Sequence, residues 1–107
     1  KDLLPALVMH AAVNHRRGAY SRAEAELTAC IEEAEGQKWG RIGALAYSHR
    51  GKVRFDAGNY EGARSDFKRE LFLRQEMGAD DETLEQTLIF IEAAESKRGA
   101  TTTGLFA

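Results

Sequence analysis

The stretch GAYSRAEAELTACI, from Gly18 to Ile31, returns forty residues later as GNYEGARSDFKREL, from Gly58 to Leu71. Gly18 aligns with Gly58, Tyr20 with Tyr60, Ala23 with Ala63, Leu27 with Phe67 and Ile31 with Leu71, and just upstream Val13 aligns with Val53. Each of these residue types has a packing reason. Glycine takes the positive φ that a tight helix-to-helix turn requires, the aromatic two residues later plugs the hinge, and alanine lets two helices approach closely. A helix pair around one glycine turn, repeated at this period, predicts a helical solenoid. In such a fold no unit buries its own apolar face, so neighbouring units must stack.

Working outward, helical periodicity covers five segments at about 3–17, 21–36, 39–57, 60–77 and 81–98. They are separated by Gly18, by Gly36 to Gly40, by Gly58 with Asn59, and by Gly78 to Asp81. Breaks this short make antiparallel neighbours. Asn59 and either Asp80 or Asp81 are expected N-caps, because a short side-chain oxygen can accept from free first-turn amides. Pro5 is the only proline, and the chain is rich in Ala, Leu, Glu, Arg and Lys, which lose little rotamer freedom in a helix. The only threonine cluster, Thr101 to Thr103, lies beside glycines, so no sheet is expected.

The 107 residues fit one small domain, and 43% hydrophobic residues suffice for a core without metals or cross-links. A formal charge of −2 lacks the basic excess that a phosphate backbone needs, and no apolar run is long enough for a bilayer span. Neither nucleic acid nor membrane is an expected partner. The single cysteine, Cys30, cannot form an internal disulfide and favours a reducing, intracellular and cytoplasmic setting. The chain starts at Lys1 without a leader pattern and reads as a piece of a longer protein.

The two units resemble the tetratricopeptide repeat family through its G-x-Y-x-x-A-x-x-x-(aromatic or Leu)-x-x-(small)-(aliphatic) segment. The first match runs through Gly18, Tyr20, Ala23, Leu27, Cys30 and Ile31, and the second through Gly58, Tyr60, Ala63, Phe67 and Leu71. Upstream, Leu7 with Ala11 and Tyr47 with Gly51 fit the family's aromatic-or-large and small positions. The forty-residue spacing is similar to the longer variant found in motor and spindle-orientation adaptors. Three departures stand out. Asn14 and Arg54 occupy the apolar position four before each turn glycine, where Val13 and Val53 are expected to take over by a slight rotation of the helix. Glu70 replaces a small residue, and the closing proline is missing. The resemblance implies an all-α, right-handed stack of antiparallel helical hairpins over residues 1–99. Its units are 4–36 and 40–77, a third first-helix spans 81–98, and a flexible tail occupies 100–107.

Catalytic and metal chemistry finds no footing in the residue pattern. His10 and His15 are five apart and fall on different sides of a helix, without companions at a metal-ligand spacing. Cys30, between Leu27 and Ile31, reads as a packing thiol. Glu24, Glu26, Glu32, Glu33 and Glu35 read as the solvent side of one helix rather than carboxyls held in a cleft. His15-Arg16-Arg17 and Lys97-Arg98 are short basic helix endings, too brief for a nucleic-acid footprint. Trp39 is expected to clamp the joint between units. No enzyme activity, metal or cofactor is expected.

In the family the first helices line a concave groove. By that resemblance the groove residues are Val8, Ala12 and His15 or Arg16 from the first unit, and Leu45, Ser48, Lys52 and Phe55 from the second. Helix five would add Ile89, Phe90 and Ala93, with Leu84, Leu88, Ile91 and Ala94 on its other side covering the second hairpin. Val8 and Ala12 stand where some members carry a Lys/Asn clamp for chaperone tails, so that clamp is not expected. The implied function is an adaptor or scaffold segment whose groove binds a peptide or amphipathic helix of another protein. The alternative is an assembly element that forms a homodimer through helix five.

Overall fold

The computed structural model describes residues 4–96, all of whose regular elements are helical. The helices are α1 (Leu4–Arg16), α2 (Tyr20–Gln37), α3 (Gly40–Asp56), α4 (Tyr60–Glu76) and α5 (Asp81–Ser96). Each packs on the next in sequence, and α1 also touches α3, giving two stacked hairpins, α1–α2 and α3–α4, covered at one end by α5. The expected tail, with Leu105 and Phe106, and the basic pair Lys97-Arg98 lie outside the described residues.

Every connection uses one backbone design. After α1, the Gly18 amide donates to the His15 carbonyl at 3.0 Å and the Ala19 amide to the Asn14 carbonyl at 2.9 Å. The same pair of bonds recurs at Lys38 and Trp39, at Gly58 and Asn59, and at Gly78 and Ala79. This double bond pattern satisfies the last helical carbonyls and demands a left-handed residue at its apex. The apex residues are Gly18, Lys38, Gly58 and Gly78, with φ of 79°, 59°, 89° and 71°, so the chain reverses every twenty residues. Three apices are glycine, which occupies this region without penalty, and one is a lysine that does so at a cost. The N-caps form as expected: Asn59 Oδ1 accepts from the Gly62 amide at 3.0 Å and Asp80 Oδ1 from the Thr83 amide at 2.9 Å.

The repeat is also visible in the packing. His15 meets Tyr20 edge-on at 5.8 Å between ring centroids, and forty residues later Phe55 meets Tyr60 in the same way at 5.1 Å. Ala23, Leu27, Ala63 and Phe67 are fully buried. Gly51 is required to be small, because a Cβ there would stand 2.5 Å from Cε1 of the Phe67 ring.

The apolar core is split into two clusters. One joins α1, α2 and α3 through residues including Leu4, Val8, Ala11, Leu27, Ile31, Ala46 and Val53, with Trp39 packed against it. The other joins α3, α4 and α5 through Phe55, Ala63, Phe67, Ile91, Ala93 and Ala94.

Between the clusters run ionic contacts that the hydrophobic pattern concealed. Asp66 on α4, only 2% exposed, accepts from Arg50 Nε at 2.9 Å and Nη2 at 2.8 Å, and from Arg54 Nη1 at 3.3 Å. The same arginines reach back to α2, Arg50 to Thr28 Oγ1 at 3.1 Å and Arg54 to Glu24 Oε2 at 3.0 Å. Forty residues earlier the same three positions meet again: Glu26 takes the Asn14 carboxamide at 2.8 Å and lies 2.6 Å from His10 Nδ1. The expected valine takes over in the second unit only, where Val53 is 1% exposed in the core beside Arg54; in the first unit it does not. Asn14 is buried, Val13 is only half-buried, and each polar side chain holds a carboxylate of the hairpin's second helix. Glu24 and Glu26 correspondingly belong to helix joints and not to a free solvent face.

Lys38 pays the steric cost of the left-handed region, about 1–2 kcal/mol for a residue with a Cβ, against the smaller entropic gain of denying flexibility to the unfolded chain. Lys38→Gly is expected to raise stability by about 0.5–1 kcal/mol in chemical denaturation. An unchanged or lowered midpoint contradicts this account of the turn.

Candidate functional site

Helix α3 is packed on both sides, against α2 and α4, and its remaining stripe faces α5 across a cleft of about 190 Å3. The walls are Leu45, Ser48, His49 and Lys52 from α3 and Thr83, Gln86, Thr87 and Phe90 from α5, with Glu70 and Arg74 of α4 as the floor. Four expected groove residues, Leu45, Ser48, Lys52 and Phe90, thus come together here. The spacing of three and four residues along α3 puts 45, 48, 49 and 52 on one stripe of that helix.

The other expected groove residues lie elsewhere. Val8 and Phe55 are 0% and 1% exposed and belong to the two apolar clusters, so neither can line an open surface. Ala12 and Ala93 are buried as well, and Arg16 is exposed on α1 away from the cleft. Ile89 points outward with Leu88, at 44% and 50% exposure. Helix five is therefore turned relative to its expected setting. Ile91 and Ala94 are buried as expected, together with Thr87 and Ala93, and Phe90 stacks on Phe67 at 5.1 Å, while Leu88 is half exposed. Thr87 is the reason: its hydroxyl reaches both the Glu70 carboxylate and the Thr83 carbonyl at 3.3 Å, so a residue of low hydropathy occupies the inward position.

The chemistry of the cleft is unusual for a surface between helices. Glu70 stands at the repeat position of Cys30 and, like it, is buried. Its Oε2 accepts from Arg74 Nε at 2.7 Å and from Thr87 Oγ1, whereas Oε1 is buried without a hydrogen-bond partner among the described residues. Lys52 Nζ sits 5.0 Å above the centre of the Phe90 ring. Burial lowers the Lys52 pKa, with Arg74 adding to the effect and Glu70 opposing it. His49 is driven from 6.5 to about 4, chiefly by burial and then by the neighbouring Lys52, His15 and Arg74. An imidazole under these influences stays neutral at pH 7. The opening is consequently lined by an aromatic ring, a half-buried ammonium and a neutral imidazole, with the buried Glu70 carboxylate beneath them.

A second, larger depression of about 600 Å3 lies over Trp39, Arg69, Phe72 and Leu73 between the far ends of α2 and α4. Here the polar groups are already engaged: Tyr47 donates to Glu35 at 2.6 Å, Arg69 lies 3.7 Å from the same carboxylate, and its guanidinium covers Phe72 at 5.3 Å. Trp39 packs against the cluster that joins the first hairpin to α3, where a clamp between units was expected. Cys30 is buried, and burial followed by the nearby Glu26 raises its thiol pKa, which leaves it a poor nucleophile. Among the described residues no group of three or more His, Cys, Asp or Glu is arranged to hold a metal ion, and no helix is long and apolar enough to cross a membrane.

The depressed His49 pKa has a definite sign. The unfolded chain binds this proton from about pH 6.5 downward and the native state only near pH 4, so the stabilisation is complete above 6.5 and is lost as the pH falls towards 4. The loss attributable to His49 is up to about 3 kcal/mol. His49→Gln is expected to flatten the decline in stability between pH 7 and pH 4, and the His49 ring signals in the native chain are expected to stay in the neutral form to about pH 5. Titration of that ring near 6.5 contradicts the burial argument.

Neither a family model, nor a curated protein, nor a solved structure matches this chain.

Proposed function

We propose that the chain is a non-enzymatic protein-interaction module of tetratricopeptide type, an adaptor or scaffold segment that holds a peptide or helix of another protein in the α3–α5 cleft. One observation carries this reading: a preformed opening between two first-type helices has an aromatic wall, Phe90, beside the polar side chains of Ser48, His49 and Lys52. Peptide sites use this combination, with apolar anchors for affinity and a few polar groups for orientation. The lone, buried Cys30 is in keeping with a reducing intracellular setting.

A second reading rests on a different face. Leu88 and Ile89 are exposed on the outer side of α5 between Glu85 and Glu92, and an uncovered aliphatic pair at the end of a helical stack suits self-association. Sedimentation over a range of concentrations separates the two, because the cleft operates in a monomer.

The test selects binders from a random peptide library on the immobilised 107-residue chain and measures their affinity for Leu45→Asp. This substitution puts a charge into the cleft wall at a half-buried position. Affinity is expected to fall about tenfold or more while circular dichroism remains helical. Selected peptides that bind the variant as well as the native chain overturn the cleft as the binding surface.

A further inference from the structure

We infer that the outer side of α5 docks a basic amphipathic helix of a partner protein, one whose lysines or arginines stand seven positions apart with apolar side chains between them. This surface is separate from the cleft and stands independently of it. At 3.6 residues per turn, Glu85, Leu88, Ile89 and Glu92 fall on the side of α5 opposite Thr83, Gln86, Thr87 and Phe90, which wall the cleft. All four outer residues are exposed, Leu88 and Ile89 at 50% and 44%. They form an apolar pair with one carboxylate a turn before it and another a turn after it.

The charge on this helix is one-sided. From Asp81 to Ser96 it carries Asp81, Glu82, Glu85, Glu92 and Glu95 and no lysine, arginine or histidine. Asp81 and Glu82 lie in the first turn, where the helix dipole favours an acid, and Glu95 pairs with Arg64 of α4 at 2.8 Å. Glu85 and Glu92 have neither support. They form no ion pair among the described residues, and their neighbours three and four positions away include Asp81, Glu82 and Glu95. Like charges at this spacing destabilise a helix, and cations laid against them from outside relieve the repulsion. The rest of the fold shows how a helix with such a run of acids is covered. On α2, Arg54 of α3 holds Glu24 at 3.0 Å and Arg69 of α4 lies 3.7 Å from Glu35, while Leu27, Ile31 and Val53 pack in one core.

Other occupants suit the face less well. A second α5 related by a two-fold axis sets Glu85 and Glu92 of one copy against the same residues of the other, whether the helices run parallel or antiparallel, so charge opposes the contact that the aliphatic pair favours. An acidic helix meets the same repulsion, and a wholly apolar one desolvates both carboxylates without a partner. Seven residues of helix rise about 10.5 Å, so basic residues at that spacing match Glu85 and Glu92 while the apolar residues between them meet Leu88 and Ile89.

The test uses the 107-residue chain and three labelled helical peptides, followed by fluorescence anisotropy. The first carries two lysines seven positions apart with Leu and Ile between them. The second exchanges the lysines for glutamates, and the third keeps the lysines but moves the Leu-Ile pair to the opposite face. The first is expected to bind about tenfold more tightly than either control and to weaken as salt is added. Glu85→Lys combined with Glu92→Lys is expected to transfer the preference to the glutamate peptide, and Leu88→Ser combined with Ile89→Ser to abolish binding. All four positions are exposed, so these variants are expected to keep a helical circular dichroism spectrum. Leu45→Asp, on the cleft wall, is expected to leave this binding unchanged, which separates the two surfaces. Equal binding of the first peptide and either control, or a preference that survives the two lysine substitutions, overturns the inference. Absence of binding also overturns it and makes the face a solvated cap, and binding lost in Leu45→Asp overturns it by placing the peptide in the cleft. A concentration-dependent dimer that the Leu88→Ser, Ile89→Ser variant disperses overturns it by making a second copy the occupant.

Discussion

Asp66 is a carboxylate held almost entirely out of water between two guanidinium groups, and the arrangement of the molecule follows from how that charge is satisfied. Burying an ionised carboxyl costs several kcal/mol, which only well-aligned, hydrogen-bonded partners can offset. Arg50 supplies a two-pronged contact from one turn of α3 and Arg54 a second contact from the next. Because both arginines also bond α2, at Thr28 and Glu24, the ion cluster fixes α2, α3 and α4 in one register. Sliding α3 by a residue would strand a buried charge, a far larger penalty than a shift of apolar contacts would bring. The cluster thus divides the apolar core in two and leaves α3 as the helix both parts share.

That sharing explains where the cleft lies. Three sides of α3 are taken up by α2, by α4 and by the ionic joint, so the stripe of Leu45, Ser48, His49 and Lys52 is left to face α5. Helix α5 is held at its distance by Phe90 on Phe67, by Thr87 on Glu70 and by Arg64 paired with Glu95 at 2.8 Å. Glu70 is the counterpart of Cys30 in the first unit. Exchanging a small thiol for a carboxylate changes that repeat position from packing to polar chemistry, and it does so only in the unit whose outer neighbour is α5.

Much of this fold was legible because turns and helix pairs depend on residue types with few substitutes. The forty-residue offset, the five helices, the cap at Asn59 and a cap at Asp80 or Asp81 are legible from glycine, alanine, aromatic and short polar residues alone. What escaped were polar residues in packed places. Arg54 and Asn14 look like surface residues to a hydrophobic pattern, yet the alignment that matches Tyr20 with Tyr60 also matches Glu26 with Asp66 twelve residues beyond each. A partner carboxylate at the same offset in both units was the available signal. Repeat position places Phe55 and Val8 in the groove, but it does not say how far each helix has turned, and both are buried in the core. Thr87 is missing from the expected buried face of helix five, since its burial comes with a hydrogen bond to Glu70 that periodicity cannot encode. The second turn of the twenty-residue cadence is expected between Gly36 and Gly40, but its apex at Lys38 is not legible there, because the flanking glycines look like better hinge residues.

The central claim is that the Asp66 joint couples the hairpins energetically and does not merely decorate the space between them. A double-mutant cycle with Arg50→Met and Asp66→Asn, read by chemical denaturation, measures this directly. Each single substitution leaves a buried partner without its closest counter-charge and should cost about 3 kcal/mol, and the double variant should be less destabilised than their sum by about 2 kcal/mol or more. Additive effects, with a coupling below about 0.5 kcal/mol, would contradict the account.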